Sequence, residues 1–286
     1  MQIEDPPGPK ISLNRLVKTC KKGQFGNLLS YYTRQKLEPW TDLRVHQLPP
    51  QYINKRSVLY IGCHDGTVPV ELALRFQPAS IEAIDIDSKL LCKAVERCKF
   101  VDRALTLPLD KSHGFLGEFA SAKDDDWVGL LLKMREVKRS SPLLETIRFR
   151  LKNILDLDDC YRNRRFSTVF CLKLTKYVQL NFGDEGLKVL FRNLYELLEV
   201  GGILIFQPHT LESYKKFKSF APICAENFKA MQILPEHFES FLTQNYRFEL
   251  LQKIVLENSG TKAKQQQDDE SMHTLYFFRK CPELNK

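Results

Sequence analysis

The sequence predicts an α/β fold, a mostly parallel seven-stranded sheet with helices on both faces, and three observations predict it. From residue 57 onward, short apolar runs alternate with amphipathic helical stretches, the order that a parallel sheet requires. The first run ends in a turn with glycine at both ends, Gly62-Cys63-His64-Asp65-Gly66. The alternation then closes on two successive strand-like runs, 246–256 and 273–280.

Residues 1–9 are rich in proline and acid and read as a tail. In 11–22, Ile11, Leu13, Leu16 and Val17 lie among basic residues, as in a short amphipathic helix. Residues 23–36 mix glycine, aromatic and basic residues. Ser57-Val58-Leu59-Tyr60-Ile61 is an uninterrupted apolar run and reads as a buried strand. A helix over 66–76 follows, with Val70, Leu72, Ala73, Leu74 and Phe76 turned to the core. Residues 81–86 form a second strand and 88–99 a second helix. The segment of about 101–145 interrupts the alternation and is read as an insertion. Within it Trp127, Leu130, Leu131 and Met134 lie on one side of a helix, which either binds a partner or packs on the sheet. The sheet resumes with strands at 146–151 and 168–172, then a helix at 184–199 that Gly201-Gly202 stops. Residues 203–206 are the fifth strand, and Pro235 begins a helix over 235–243. The glutamine-rich stretch 257–271 joins the two closing strands. We therefore divide the chain into a basic segment, 1–45, and a sheet domain, 46–286.

Composition narrows the function classes. Hydrophobic residues make up 43% of the 286 residues, enough for a core. No apolar run reaches the ~18 residues of a membrane span, and the first residues lack the apolar stretch of a secretory signal. The eight cysteines form no CxxC pair and no zinc-spaced cluster with histidine. A reducing compartment, nucleus or cytosol, is expected, with neither disulfide nor metal. The net charge is +8, and residues 1–56 hold ten Lys/Arg against four Asp/Glu. That segment is either a solvated basic surface or a match for an anionic partner, RNA above all.

Three features lie where a nucleotide cofactor needs them. The Gly62–Gly66 turn follows the first strand, where glycine lets a backbone approach a ligand, although it also suits an ordinary strand–helix turn. Asp85 ends the second strand, where a carboxylate can accept both hydroxyls of a ribose. Asp87 and Ser88 are the better helix caps. Asn153-Ile154, after the third strand, pairs a polar with an apolar side chain, as an adenine edge and face require. The short glycine turn and the two closing strands favour a class I S-adenosylmethionine-dependent methyltransferase, Rossmann-like, over a nicotinamide enzyme.

The longest distinctive string is Cys171-Leu172-Lys173-Leu174-Thr175-Lys176-Tyr177-Val178-Gln179-Leu180-Asn181-Phe182-Gly183-Asp184-Glu185-Gly186-Leu187. It resembles the Bicoid-interacting family of RNA methyltransferases, the methylphosphate capping enzymes. Phe25-Gly26-Asn27 with Tyr31-Tyr32, Asp85-Ile86-Asp87-Ser88 and Gly201-Gly202-Ile203-Leu204 match as well, so the resemblance covers about 23–100 and 146–256. It implies methyl transfer from S-adenosylmethionine to a 5′ phosphate, typically the γ-phosphate, of a small non-coding RNA. It also implies a nuclear ribonucleoprotein setting with other protein subunits. Carried over by position, Gly62, Cys63 and Gly66 would line the methionine part of the cofactor, Asp85 and Ile86 its ribose and adenine, and Asn153 and Ile154 the adenine. Leu172 would lie beneath the reactive methyl. Tyr31, Tyr32 and Arg34 would close over the site as a lid, opposite a wall of Lys176, Tyr177, Gln179 and Asn181. By residue type alone, the tyrosine pair also suits core packing and Lys176 a solvated surface.

This chain departs from the family pattern at Ser30, Lys173, Tyr177, Gln179 and Phe206-Gln207-Pro208-His209-Thr210-Leu211, where a basic residue, serine, tryptophan, histidine and an acidic, tryptophan-bearing string, respectively, are usual. Gln179 keeps a hydrogen-bonding group without a titrating ring, and Leu211 offers no stacking face. Two further readings follow: an RNA-binding and assembly subunit with dispensable catalysis, and a methyltransferase for a 5′ monophosphate, a protein or a small molecule.

Overall fold

The computed structural model describes residues 23–27, 42–106, 142–256 and 274–282. Its seven strands are β1 (Ser57–Ile61), β2 (Ser80–Asp85), β3 (Ile147–Leu151), β4 (Phe166–Leu172), β5 (Leu198–Gln207), β6 (Phe248–Val255) and β7 (Thr274–Lys280). They form one sheet in the order β3-β2-β1-β4-β5-β7-β6. β1 pairs with β2, β2 with β3 and β4 with β5 in parallel, and β7 runs antiparallel to both β5 and β6. This is the expected α/β sheet with its two closing strands.

Burial explains the apolar runs. Val58, Leu59, Tyr60 and Ile61 of β1 are all buried, as are Val169, Phe170 and Cys171 of β4 and Ile203 to Phe206 of β5. Strands covered on both faces have no solvent side to mark with polar residues. β3 and β6, at the two ends of the order, mix buried with exposed positions.

The chain divides into two compact units. Residues 28–151 hold β1–β3, with helices α1 (Leu43–His46), α2 (Thr67–Phe76), α3 (Ser88–Thr106) and α4 (Leu143–Thr146). Helix α3 runs past the expected end at residue 99, because Val101 and Ala104 continue its buried stripe. The other unit, residues 1–27 and 152–286, holds β4–β7 and α5 (Asp159–Arg162), α6 (Thr175–Leu197), α7 (Leu211–Phe217), α8 (Pro222–Ala230) and α9 (Phe238–Asn245). The expected helix at 184–199 is the second half of α6. Gly183 departs from helical geometry, but Val178 and Leu180 before it and Leu187, Leu190, Phe191 and Leu194 after it are all buried.

Gly201-Gly202 does not stop that helix. α6 ends at Leu197, and the glycines lie inside β5, where Leu198 pairs with Phe166 and Ile203 with Thr168. The extra β5 residues between those pairs form an irregular bulge, a use of glycine the sequence does not separate from a helix stop. Helices α7 and α8 are not marked by clear periodicity. The helix expected at 235–243 is a 3-10 turn, Pro235–His237, leading into α9. No helix among the described residues is long and apolar enough to cross a membrane. The predicted helix at 11–22, most of the insertion and the loop 257–271 lie outside the described residues.

Candidate active site

In the first unit the turn after β1 is built around Asp85. Its Oδ2 accepts from the backbone N–H of His64 at 2.9 Å and its Oδ1 from that of Asp87 at 2.9 Å. An ionised carboxylate has about four acceptor positions, so each oxygen keeps one for a further donor. Burial pushes the Asp85 carboxyl up to about 6, against the two backbone donors that favour its charge. Asp87, by contrast, caps α3 by accepting from Lys89 and Leu90 N–H, the capping role expected of it. Ile86 is half-buried beside it.

The Gly62–Gly66 turn is tied to the same strand end. Gly62 and Cys63 N–H both donate to the Ile84 carbonyl. Gly66 has φ of +81°, and a Cβ there would meet Ala94 Cβ at 2.8 Å. What requires glycine at 66 is therefore the close packing of this turn on α3. Asp65, just before α2, accepts from the Thr67 N–H and hydroxyl, and Arg97 clamps the turn by donating to the Asp65 carboxylate at 2.9 Å and to its carbonyl at 3.1 Å. Burial alone would raise the Asp65 carboxyl, but the hydrogen bond from His64 and the Arg97 charge hold it well below the usual carboxylate range. The sequence offered no sign of Arg97 as part of this turn, because it stands 32 residues from Asp65. Cys63 is fully buried, and its thiol is pushed up by burial and by Asp85, so it packs and does not react.

In the second unit, Asn153 and Ile154 are buried directly after β3. Asn153 Oδ1 accepts from Leu155 N–H at 3.0 Å, which leaves its amide nitrogen as the group able to meet a ligand. The Ile154 carbonyl is held by Asn193 of α6 at 2.6 Å. Leu172 is buried at the C-terminal end of β4, and Lys173 turns the chain at φ +51° while its ammonium donates to the Pro208 carbonyl at 2.9 Å.

The expected wall lies at the start of α6, and its members do different things. Lys176 is 8% exposed and is no solvated surface charge. Its Nζ donates to Ser213 Oγ at 2.8 Å and lies 4.8 Å from the Tyr177 ring centroid and 5.1 Å from that of Phe217. No carboxylate pairs with it among the described residues, and burial lowers its pKa to about 8. Tyr177 packs edge-on against His209 and Phe217. Gln179, almost fully buried, donates to Asp184 Oδ1 at 2.7 Å and to the Ile233 carbonyl at 2.8 Å. It braces α6 against the chain after α8. Asn181 exchanges hydrogen bonds with Gln24, accepting from its side-chain amide at 2.7 Å and donating to its carbonyl at 3.1 Å.

That last pair anchors residues 23–27 on α6. Phe25 stacks on Phe182, and Gly26 lies so close to Tyr177 that a Cβ would come within 2.6 Å of the ring. The chain entering the predicted lid is thus pinned to the wall, whereas Tyr31, Tyr32 and Arg34 themselves lie outside the described residues. Ser213, Phe217 and Gln24 join this site without having been singled out in the sequence, and His209 was marked only as part of the altered 206–211 string.

Residues 166–280 match the family profile of Bicoid-interacting protein 3 (Bin3). Over 246 residues, 79% of this chain, it is 32% identical to the 7SK snRNA methylphosphate capping enzyme of Homo sapiens. The chain belongs to the Bin3 family. It is also 28% identical, over 222 residues, to the U6 snRNA methylphosphate capping enzyme Amus of Drosophila melanogaster, covering 77% of this chain and 64% of that one. This Bin3 chain spans 36% of the human relative's length. Among solved structures, the N-methyltransferase NodS of Bradyrhizobium japonicum with S-adenosyl-l-homocysteine superposes with a TM-score of 0.52 at 15% identity, over 92% of this chain and 96% of that one. The Bin3 fold here is thus that of the class I methyltransferases, as expected.

Proposed function

We propose that this chain transfers a methyl group from S-adenosylmethionine to the terminal phosphate of a small non-coding RNA. The observation that carries the reading is Lys176, a buried ammonium inside the string that marks the family, with no carboxylate partner among the described residues. A buried cation without a counter-charge is costly, and a phosphate oxygen is the kind of group that relieves it. The named relatives, capping enzymes for 7SK and U6 snRNA, support the substrate class.

Asp85 fits the cofactor's ribose, since each of its oxygens retains an acceptor position and two hydroxyl donors would favour its charged form. Asn153 offers an amide donor for the adenine edge. When bound, S-adenosylmethionine supplies a sulfonium methyl to an oxygen nucleophile, the carbon–sulfur electron pair remaining on sulfur. A terminal phosphate is largely ionised near neutral pH, so no general base is required and no proton moves. Lys176 neutralises and orients the phosphate, Tyr177 and Phe217 exclude water from its ammonium, and Asn181 with Gln24 holds the lid's entry. Retention of the RNA in a nuclear ribonucleoprotein belongs to the same proposal.

The purified chain should label a 5′-triphosphate RNA from methyl-labelled S-adenosylmethionine, and phosphatase treatment of the RNA should abolish labelling. Comparison of tri-, di- and monophosphate ends sets the terminal group. Cofactor binding without transfer to any RNA end refutes the reading. If Asp85→Ala ends methylation but leaves RNA abundance and assembly unchanged, RNA binding is the main role.

A further inference from the structure

Helix α6 carries the wall and is broken within its length. Gly183 stands at φ +67° and ψ −169°, far from helical geometry. The second half is fixed to the core by Leu187, Leu190, Phe191 and Leu194, all fully buried. The first half bears Lys176 and Tyr177, and a break leaves its direction to be set by contacts outside the helix ladder. Val178 and Leu180 bury apolar surface there, but apolar burial has no preferred direction. Hydrogen bonds do. Asn227 of α8 donates to the Leu180 carbonyl at 3.0 Å, just before the break. Gln179 spans the break itself. Its amide nitrogen donates to Asp184 Oδ1 at 2.7 Å and to the Ile233 carbonyl at 2.8 Å. The other Asp184 oxygen accepts from the Gln232 and Ile233 N–H groups at 2.8 and 3.1 Å. These bonds close a ring through both halves of α6 and the chain after α8. Both hydrogens of the Gln179 nitrogen are thus engaged, while its oxygen is buried with no hydrogen-bond partner among the described residues. A buried unpaired acceptor costs stability, so stability alone does not explain glutamine at this position. Lys176 lies three residues earlier, on the same side of the helix.

We propose that Gln179 is a positioning residue for methyl transfer: by tying the first half of α6 across the Gly183 break, it sets where the Lys176 ammonium meets the phosphate. The inference rests on the capping reading, in which Lys176 takes the terminal phosphate. Gln179 itself acts through Lys176 and touches no reacting atom.

The test uses the full chain, with methyl-labelled S-adenosylmethionine and a 5′-triphosphate RNA 20-mer as probes. Gln179→Met is close in volume and removes both the donors and the unpaired oxygen. It should leave Tm within a few degrees of wild type and S-adenosylhomocysteine affinity within twofold. It should lower kcat at least tenfold and change KM for the RNA less than threefold, as expected when orientation is lost. In a Lys176→Met background the same substitution should cost less than a further twofold, because its effect passes through the ammonium. Gln179→His should recover transfer in its protonated form. A neutral imidazole has one N–H and the imidazolium two, one on each nitrogen, so only the charged ring serves both Asp184 and Ile233. Its rate relative to wild type at each pH should therefore fall as pH rises through the imidazole range, roughly 6.5 or above beside a carboxylate. Losses that follow Tm, a tenfold loss repeated in the Lys176→Met background, or a histidine variant with a flat ratio to wild type would overturn the positioning role. Labelling of Lys176 by an amine reagent, read by mass spectrometry, tests the same point without RNA. In Gln179→Met it should rise at least threefold relative to Lys188 on the second half of α6, and unchanged labelling would overturn the proposal. A wild-type chain that methylates no RNA, with Lys176 labelling that responds to Gln179→Met, sinks the capping reading alone.

Discussion

Replacing Lys176 by methionine should make the ligand-free protein more stable at neutral pH while removing its activity. The ammonium is buried, and burial brings its pKa from 10.5 to about 8. Below pH 8 both folded and unfolded chains carry the proton, and the folded state bears the full cost of the buried charge. At 1.36 kcal/mol per pKa unit, that cost is about 3 kcal/mol. The Ser213 hydrogen bond and the contacts with Tyr177 and Phe217 return about 2 kcal/mol of it. Lys176→Met, close in volume, should therefore stabilise the protein by about 1 kcal/mol at pH 7, a rise of a few degrees in Tm. The sign of the pH dependence follows from the lowered pKa. Between pH 8 and 10.5 the unfolded chain binds more protons than the folded one, so wild-type stability gains on the variant as pH rises. By pH 10 the difference should have moved by about 2–3 kcal/mol in favour of wild type. Denaturant unfolding of both proteins from pH 7 to pH 10 reads this directly, and other titrating groups cancel in the difference. Methyl transfer to triphosphate RNA should fall by about 10²-fold or more, as when a positioned charge-stabilising donor is removed. A variant equally destabilised at every pH, or one that retains transfer, would refute the reasoning.

Asp85→Asn should weaken S-adenosylmethionine binding by about 10- to 100-fold, because hydrogen bonds to a charged acceptor contribute roughly 1.5–3 kcal/mol. In wild type that affinity should decline as pH falls through about 6, where the buried carboxyl takes up its proton, and calorimetry should find the decline absent in the variant. Gly66→Ala forces a Cβ to 2.8 Å from Ala94 at φ +81° and should cost about 1–3 kcal/mol of unfolding free energy. Ala94→Gly should recover only part of that cost, since the strained backbone remains. Gln24→Ala and Asn181→Ala should be non-additive, with a coupling of about 0.5–1.5 kcal/mol in a double-mutant cycle on stability; additive losses would mean that the segment 23–27 is not held by this pair.

Much of the architecture was legible because burial on both faces writes itself into sequence as uninterrupted apolar runs. β1 and β5 were found that way; β2 carries a buried Glu82 within it, and Asp85 stood out because it ends that strand. Boundaries failed where one residue type serves two geometries. Gly183 resembles a helix breaker but sits inside α6, whose apolar residues resume at Leu187. Gly201-Gly202 resembles a helix stop but forms a bulge in β5. Helices α7 and α8 were missed because they are short and their few buried residues, such as Tyr214 and Cys224, set no period.

The sequence by itself determined the fold class, the family and the list of candidate residues. Those rest on local patterns: a glycine turn, an aspartate at a strand end, and one long string at 171–187. It left open what each residue in that string does, because role depends on which groups lie opposite. Only the tertiary structure separated the members of the wall. Gln179 and Asn181 are engaged in bracing the protein, through Asp184 and Gln24. Lys176 alone among them is a buried charge, enclosed by aromatic rings from Tyr177 and from Phe217, 41 residues further on. A charge becomes chemically significant when its surroundings strip it of water and of a counter-ion, and those surroundings come from chain segments that no local pattern connects.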